Sequence, residues 1–454
     1  MTTSDLQALL QCPRCRRAPL VEADGGFACR GCAAGYPRLG GLPWLFAEPA
    51  LALGEWRNRL TLYLEEFAAA AGRVEQELSG ALRDTTRARL ITLRNGYREQ
   101  LALVRELLEP LALATLPIPH ATPIAFATRL PLSQDLHSYY VNLHRDWCWG
   151  EAENAASHQL VSAALGGRAQ RVLVLGAGAC RLAYDLHQQG GQAQTVALDI
   201  NPLLLLAANR VLGGGRLVLY EFPIAPRTAA DVAVRRTLEA PTAARPGFEL
   251  VFADAWRAPF AAQSFDAVVT PWLIDIVDAD LESIASAVNR LLAVGGRWVN
   301  FGSLAFPWQS PSRQHGPDEV QEIVAAAGFA VGSFRDEALA YMCSPASRHG
   351  RVETVAIFAA DKLRRAPREA GPPASPAWLA DTSRPVPRSE RLALAADASR
   401  IQAALLGLVD GQRSVDDLAR FVAEQGLLPA EQATSAVLGL LDRLHQAGER
   451  RHGT

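Results

Sequence analysis

The chain has 454 residues, 49% of them hydrophobic, which excludes wholesale disorder and leads us to expect two or three domains with cores of their own. Its net charge of −2 gives no general pull toward nucleic acid or anionic membranes, and no apolar run approaches the roughly 20 residues of a membrane helix. Lys362 is the only lysine, so there is no GxxxxGK[ST] phosphate loop and no Schiff-base lysine to expect, and the absence of HExxH excludes a zincin-type protease.

The start, MTTSDLQALLQCPRC, lacks the basic and apolar regions of a secretory signal, so a cytoplasmic protein is expected. Residues 1–50 are Cys- and Gly-rich. Cys12-x2-Cys15 and Cys29-x2-Cys32 each turn two thiolates to one side, and together they close a tetrahedral site with no open position, the pattern of structural zinc. So small a unit cannot bury enough core alone, and the metal must supply much of its folding energy. The alternative, a pair of redox dithiols, would want a strand–CxxC–helix context that this segment lacks. With the following YPRLGGLPWLF (36–46), the knuckles resemble Trm112-like zinc ribbons, modules that accompany or activate methyltransferases. That resemblance implies scaffolding or substrate presentation.

Residues 51–132 begin with helical periodicity, Trp56, Leu60, Leu64 and Phe67, then Leu90, Leu93, Tyr97, Leu101, Val104 and Leu108, and end in a Pro-rich connector. From 133 to 362 short apolar runs alternate with helical ones, the pattern of a doubly wound α/β sheet. The expected strands are Arg171–Leu175, Gln194–Leu198, Glu249–Phe252, Ala267–Thr270, Arg297–Phe301 and Thr354–Ala359. In RVLVLGAGACRL the first strand runs into Gly176-x-Gly178, where small residues let the chain turn tightly and let a ligand approach a helix N-terminus. No third glycine follows for a close dinucleotide-type packing, and Cys180 stands in that stretch. About 20 residues on, Asp199 ends a strand where a carboxylate can accept both ribose hydroxyls, or cap the helix behind it. Asp254 lies just past the next strand, placed to accept an adenine amine or to act as a cap, and SFDAVVTPWLID carries Asp275 past the fourth. The order GxG, acid, acid, FDxVV, Gly-Gly is the layout of class I S-adenosylmethionine-dependent methyltransferases with their Rossmann-like sheet.

Several segments match more narrowly. His144-Arg145-Asp146-Trp147, VLVLGAGACRLA, FDAVVTPWLIDIVDADLESI, GGRWVNFGSLAF and Tyr341-x-x-Ser-Pro-x-Ser resemble the carnosine N-methyltransferase family, over roughly residues 55–362. The resemblance implies that Arg145 contacts the cofactor, with Asn142 where the family has a glutamine. A guanidinium fork suits the methionyl carboxylate, although a surface salt bridge to Asp146 would also account for Arg145. It also implies that Asp275 holds the substrate near the sulfonium and that Tyr341 lines its pocket. As a bare sequence feature, Asp275 also fits a helix N-cap or a paired buried acid. Where the family has Gly-Pro-Leu-x-Tyr-His, this chain reads Gly302-Ser303-Leu304-Ala305-Phe306-Pro307-Trp308. The family's imidazole-facing histidine is gone, which speaks against carnosine itself, and His315 is a candidate substitute.

Residues 363–390 form a Pro/Arg-rich linker, and 391–454 a small helical domain with Ser414 as an expected N-cap and Leu438, Leu441 and Leu444 as an expected apolar face. It vaguely resembles winged-helix and PqqD-like modules and leaves room for a protein partner or self-association. The function expected is N-methylation of a small molecule or peptide, with S-adenosylmethionine as cofactor and structural zinc in the ribbon. Methylation of RNA or protein guided by the ribbon, and a catalytically silent SAM-binding scaffold, are the alternatives. The balanced charge and the lack of a basic–aromatic stripe count against nucleic acid.

Overall fold

The computed structural model describes residues 4–113, 136–167, 169–277, 279–306, 311–366, 377–380 and 383–450. The Pro-rich connector, Pro307 and Trp308 lie outside these residues, as does much of the 363–390 linker. The chain divides into two compact units, Met1–Pro373 and Ala374–Thr454.

In the first unit the two cysteine knuckles frame a small meander. Strands β1 (Leu20–Ala23), β2 (Gly26–Cys29), β3 (Gly35–Leu39) and β4 (Leu42–Pro43) pair in that order. A short helix, Ser4–Leu9, precedes them. Helices Pro49–Leu78 and Asp84–Leu107 follow, the first opened by a proline where its missing N–H costs nothing. Trp56, Leu60, Leu64, Phe67, Leu90, Val104 and Leu108 are buried as their periodicity predicts, while Leu93, Tyr97 and Leu101 are only half-buried.

The central sheet takes β5 (Arg171–Leu175), β6 (Gln194–Asp199), β9 (Phe248–Phe252), β10 (Phe265–Pro271), β11 (Leu292–Gly302), β12 (Phe329–Tyr341) and β13 (Arg351–Lys362). Its seven strands are ordered β12-β13-β11-β10-β5-β6-β9. From β11 to β9 every pairing is parallel, and β13 runs antiparallel to both neighbours. The expected strands are all present, several of them longer than the apolar run that signalled them. β12 was not anticipated: its exposed positions are small or polar (Ala330, Gly332, Ser333, Arg335, Asp336, Ala338 and Ala340), so no continuous apolar run marks it. An antiparallel pair, β7 (Leu217–Glu221) and β8 (Val234–Leu238), is a further unpredicted insertion.

Strand alternation sends side chains to two apolar layers. Val172, Val174, Ala197 and Val269 face a layer built with Leu60, Val104, Val161 and Leu205. Leu173, Leu175, Val196, Leu198 and Val268 face a layer that contains Ile284 and Val320 and also the ribbon residues Leu9, Leu10, Leu20, Phe27 and Leu45. The ribbon thus shares the sheet's core. Its exit strand reaches β9 directly: Trp44 bridges Phe252, and the Leu45 N–H bonds the Phe252 carbonyl at 2.8 Å. Leu42, Trp44 and Phe46 point to one layer and Leu45 to the other, continuing the pleat.

The second unit has helices Glu390–Leu406, Val415–Glu424 and Ala430–Arg450. Ser414 caps the middle one in a reciprocal box with Asp417. Its core is Leu405, Leu418, Ala419, Val422, Ala433 and Val437. Here the expected apolar face is corrected. Leu438 is 55% exposed, because Ala433 and Val437 take the inward positions; Leu441 packs at the margin, and the Leu444 side chain lies outside the described residues.

Candidate functional site

The sheet order sets the site residues along one edge, because Gly176 and Gly178 follow β5, Asp199 ends β6, Asp254 follows β9 and Asp275 follows β10. After β5 the chain turns on Gly176, φ +70°, and Gly178, φ +57°. The N–H groups of Gly176 and Ala177 both bond the Leu198 carbonyl, at 2.9 and 3.0 Å, tying the loop to the neighbouring strand. A Cβ on Gly178 would meet nothing within 4 Å, so this stretch of backbone borders open space. Cys180 is also left-handed, φ +69°, which explains why glycine suits the position; the thiol is fully buried.

Asp199 braces this loop. One carboxylate oxygen accepts the Gly178 N–H at 2.8 Å and the other the Asn201 N–H at 2.8 Å. Asn201, not Asp199, caps the helix Pro202–Leu212. Burial pushes the Asp199 carboxyl up to about 6, against the pull of the N–H groups of Asn201, Gly178 and Ile200.

Arg145 opens a five-residue π-helical turn, Arg145–Trp149, closed by the Gly150 N–H to the Arg145 carbonyl at 2.8 Å. A Cβ on Gly150 would stand 2.4 Å from that carbonyl oxygen, so only glycine closes it without a shift. Such turns gather at functional sites. This one is stapled to the glycine loop, with the Trp147 indole N–H on the Ala179 carbonyl at 2.8 Å and the Arg181 guanidinium on the Asp146 carbonyl at 2.8 Å. Arg181 also pairs with Asp185 and Glu151. Sequence reasoning missed Arg181, whose signal was its place directly after the loop. The Arg145–Asp146 ion pair exists, at 2.6 Å, but with Asp146 buried and the Arg145 side chain only 16% exposed it is not a surface bridge. Asn142, one helical turn earlier, keeps a buried Oδ1 without a hydrogen-bond partner.

Tyr341 meets Arg145, whose guanidinium lies 5.5 Å from the ring centroid, and Trp272, whose ring lies 4.8 Å away. Arg351 covers the same tyrosine ring at 4.8 Å. Three residues past Trp272, Asp275 is 1% exposed. Its Oδ2 accepts the Ser303 hydroxyl at 2.6 Å and the Ala305 N–H at 3.1 Å, and its Oδ1 is buried with no partner. The structure therefore brings Arg145, Tyr341 and Trp272 together, with Asp275 just beyond on the same strand connection. Ser303 stands where the family pattern has proline, and it supplies a hydroxyl that proline lacks. His315 packs edge-on against Phe306 at 5.6 Å.

Asp254 is exposed and accepts the Trp256 N–H at 2.9 Å, capping the turn Ala255–Arg257. Arg16 of the ribbon donates to the Trp256 carbonyl of that same turn at 3.0 Å. At the knuckles, Cys12 and Cys32 sulfurs are 3.7 Å apart, Cys15 and Cys29 sulfurs 3.6 Å, and all four lie within 4.8 Å of one another. A tetrahedral thiolate site with metal–sulfur bonds of about 2.3 Å needs sulfur–sulfur edges of about 3.8 Å. The donor set fits.

Residues 132–349 match the family model described as carnosine N-methyltransferase. No curated protein matches the sequence. Among solved structures, N-methyltransferase NodS from Bradyrhizobium japonicum is similar at 14% identity, covering 47% of this chain and 97% of its own, with a TM-score of 0.31. Phosphoethanolamine N-methyltransferase 2 from Haemonchus contortus is 16% identical, covering 51% of this chain and 58% of its own, with a TM-score of 0.33. A chain of the complex between the Haloferax volcanii Trm112 methyltransferase activator and a methyltransferase is 14% identical over 50% of this chain and 98% of its own, with a TM-score of 0.33. Over residues 132–349 the chain thus resembles the carnosine N-methyltransferase family, on a class I fold that supports S-adenosylmethionine-dependent methylation.

Proposed function

We propose that this protein N-methylates an amine-bearing small molecule or peptide, with S-adenosylmethionine as donor. The observation that carries the acceptor side is the unpartnered Oδ1 of Asp275, because a buried carboxylate oxygen without a donor is costly unless a ligand supplies one.

The residues fit the cofactor. Asp199 accepts the ribose hydroxyls, Gly176 and Gly178 let the backbone approach, and Asp254 accepts the adenine amine. Arg145 pairs with the methionyl carboxylate and the open Oδ1 of Asn142 accepts its ammonium. S-adenosylmethionine supplies an electrophilic methyl group on sulfonium sulfur. The protein's own share is alignment, water exclusion and charge placement. Asp275 orients the nucleophilic nitrogen through Oδ1 and stabilises the positive charge that develops on it, while Tyr341 and Trp272 wall the pocket. The family's histidine has no equivalent at its position, so an acceptor other than carnosine is proposed. Cys180 adopts the left-handed conformation that the loop requires, which favours an active enzyme over a silent scaffold.

Zinc held by Cys12, Cys15, Cys29 and Cys32 is proposed as structural, since all four positions are taken by protein. Unpaired thiols suit a reducing compartment, and no helix among the described residues is long and apolar enough to cross a membrane, so we place the protein in the cytoplasm. The C-terminal helical unit is assigned to contacts with a protein partner or a second copy.

The test is calorimetric titration of the zinc-loaded protein with S-adenosylmethionine beside Asp199→Ala, followed by turnover on imidazole dipeptides and simple amines beside Asp275→Asn. Binding abolished by the first substitution and turnover abolished by the second are expected. A folded protein that does not bind the donor would end the methyltransferase reading.

A further inference from the structure

We infer that Glu153 is a positioning residue, whose carboxylate fixes the backbone turn that seats Tyr341 against Arg145. Glu153 lies in the helix Glu151–Leu165, immediately behind the π-helical turn. Its Oε2 accepts the Met342 N–H at 3.0 Å and its Oε1 the Cys343 N–H at 2.9 Å. These are the two peptide groups directly after Tyr341. Met342 is left-handed, φ +55°, a conformation that a residue with a long side chain does not hold without help.

The carboxylate supplies that help. Consecutive N–H groups around a left-handed residue form a concave donor pair, and an anion in that concavity favours the strained turn over its relaxed alternatives. The rest of the connection is anchored elsewhere. Ser344 donates to Glu221, which also pairs with Arg236, and Ser347 donates to the Ile224 carbonyl, so the tip rests on the β7–β8 insertion. Glu153 is the side-chain anchor nearest the tyrosine, whose own backbone ends the β12–β13 ladder opposite Arg351.

The same carboxylate acts on Arg145. Burial works against the guanidinium charge, but Asp146, with Tyr341 and Glu153 behind it, more than offsets this and keeps Arg145 firmly protonated. Glu153 therefore joins three site features: the charge of Arg145, the seat of Tyr341 and the strained peptide at Met342. It reaches the ligand only through them.

The inference rests on the reading that Arg145 holds the methionyl carboxylate, and the experiment separates the two. S-adenosylhomocysteine and 5′-methylthioadenosine share the adenosine thioether, and only the first has the amino-acid end. Calorimetric affinities for both are measured on wild type, Glu153→Ala, Glu153→Gln, Glu153→Ala/Met342→Gly and Arg145→Ala, each checked for an intact melt. Glu153→Ala is expected to weaken S-adenosylhomocysteine about tenfold and to leave methylthioadenosine within about twofold. Glu153→Gln, which keeps one acceptor oxygen, falls between. Met342→Gly relieves the left-handed strain and restores most of the loss. Equal losses for both ligands, or no loss, with a normal response of Arg145→Ala, overturn the inference alone. Arg145→Ala binding S-adenosylhomocysteine as wild type does overturns the carboxylate assignment and this inference with it.

Discussion

Lowering the pH from 7 to 5 should weaken S-adenosylmethionine binding about tenfold through Asp199 alone. The ribose hydroxyls are donors, so the carboxylate must be ionised to accept both. Its two oxygens already hold the N–H groups of Gly178 and Asn201, yet burial dominates and raises the carboxyl to about 6. Each pH unit below that value costs a factor approaching ten, and between pH 7 and 5 the ionised fraction falls about tenfold, or about 1.4 kcal/mol. The donor's own carboxylate and ammonium keep their charges across this range, with ordinary values of roughly 3.5 and 8. For the protein without ligand the sign is the opposite of the usual acidic case. A carboxyl raised in the folded state favours folding when neutral, so its stabilising share is lost as pH climbs from 3.8 to about 6, by up to about 3 kcal/mol. Isothermal titration at half-unit steps from pH 5 to 7.5, beside melting curves of the free protein, reads both effects. An affinity flat across that range in wild type would refute the reasoning, since neither burial nor the ribose role would then stand.

Three further outcomes follow from the packing. Cys180→Val should cost about 2 kcal/mol or more and weaken donor binding, because a β-branched residue resists φ +69°, whereas Cys180→Gly should bind within about threefold of wild type; paired titrations and melts check this. Lys362, the only lysine, is 1% exposed and donates to the Asn289 and Leu292 carbonyls at 2.6 and 2.8 Å, at the end of the helix Leu281–Leu291. Lys362→Met should therefore destabilise by about 2–4 kcal/mol in a denaturant titration, as two carbonyls lose a charged donor. Chelating the knuckle metal, or Cys15→Ser, should loosen the turn that Arg16 holds and weaken donor binding several-fold, with Arg16→Ala reproducing part of the effect; an unchanged affinity after metal loss would contradict the shared core.

Much of this was readable from local pattern. RVLVL, QTVALD and FDAVVTP announce themselves as strands because parallel strands buried on both faces are continuous apolar runs. The glycine loop and Asp199 carry their spacing, and the knuckles carry theirs. What stayed hidden depends on partners distant in sequence. Arg16 meets Trp256 across the chain, and Ser303 meets Asp275 only because β10 and β11 are neighbours. β12 carries small or polar residues on its outer positions and borrows its order from β13. The π-helical turn leaves no periodic mark, since five residues are too few to show a period. Leu438 misled because the inward stripe of its 21-residue helix runs through Ala433 and Val437 with Leu440 and Leu441 beside them, and only the packed neighbours decide which side is inward.

The way the ribbon is sewn to β9 has a consequence for how the molecule is made. All four knuckle cysteines precede the central sheet's strands in the chain, so their cluster can close while the sheet is still unsynthesised. The apolar face behind it, Leu9, Leu10, Phe27 and Leu45, must then wait for Val251, Phe252 and Phe260 to emerge about 200 residues later. During that interval the nascent chain carries the knuckle unit with a bare hydrophobic flank and an unpaired strand end, a surface suited to a chaperone or to a neighbouring copy. On the proposed zinc assignment, metal supply during synthesis, and not only in the finished protein, then governs how much of the chain reaches its folded form.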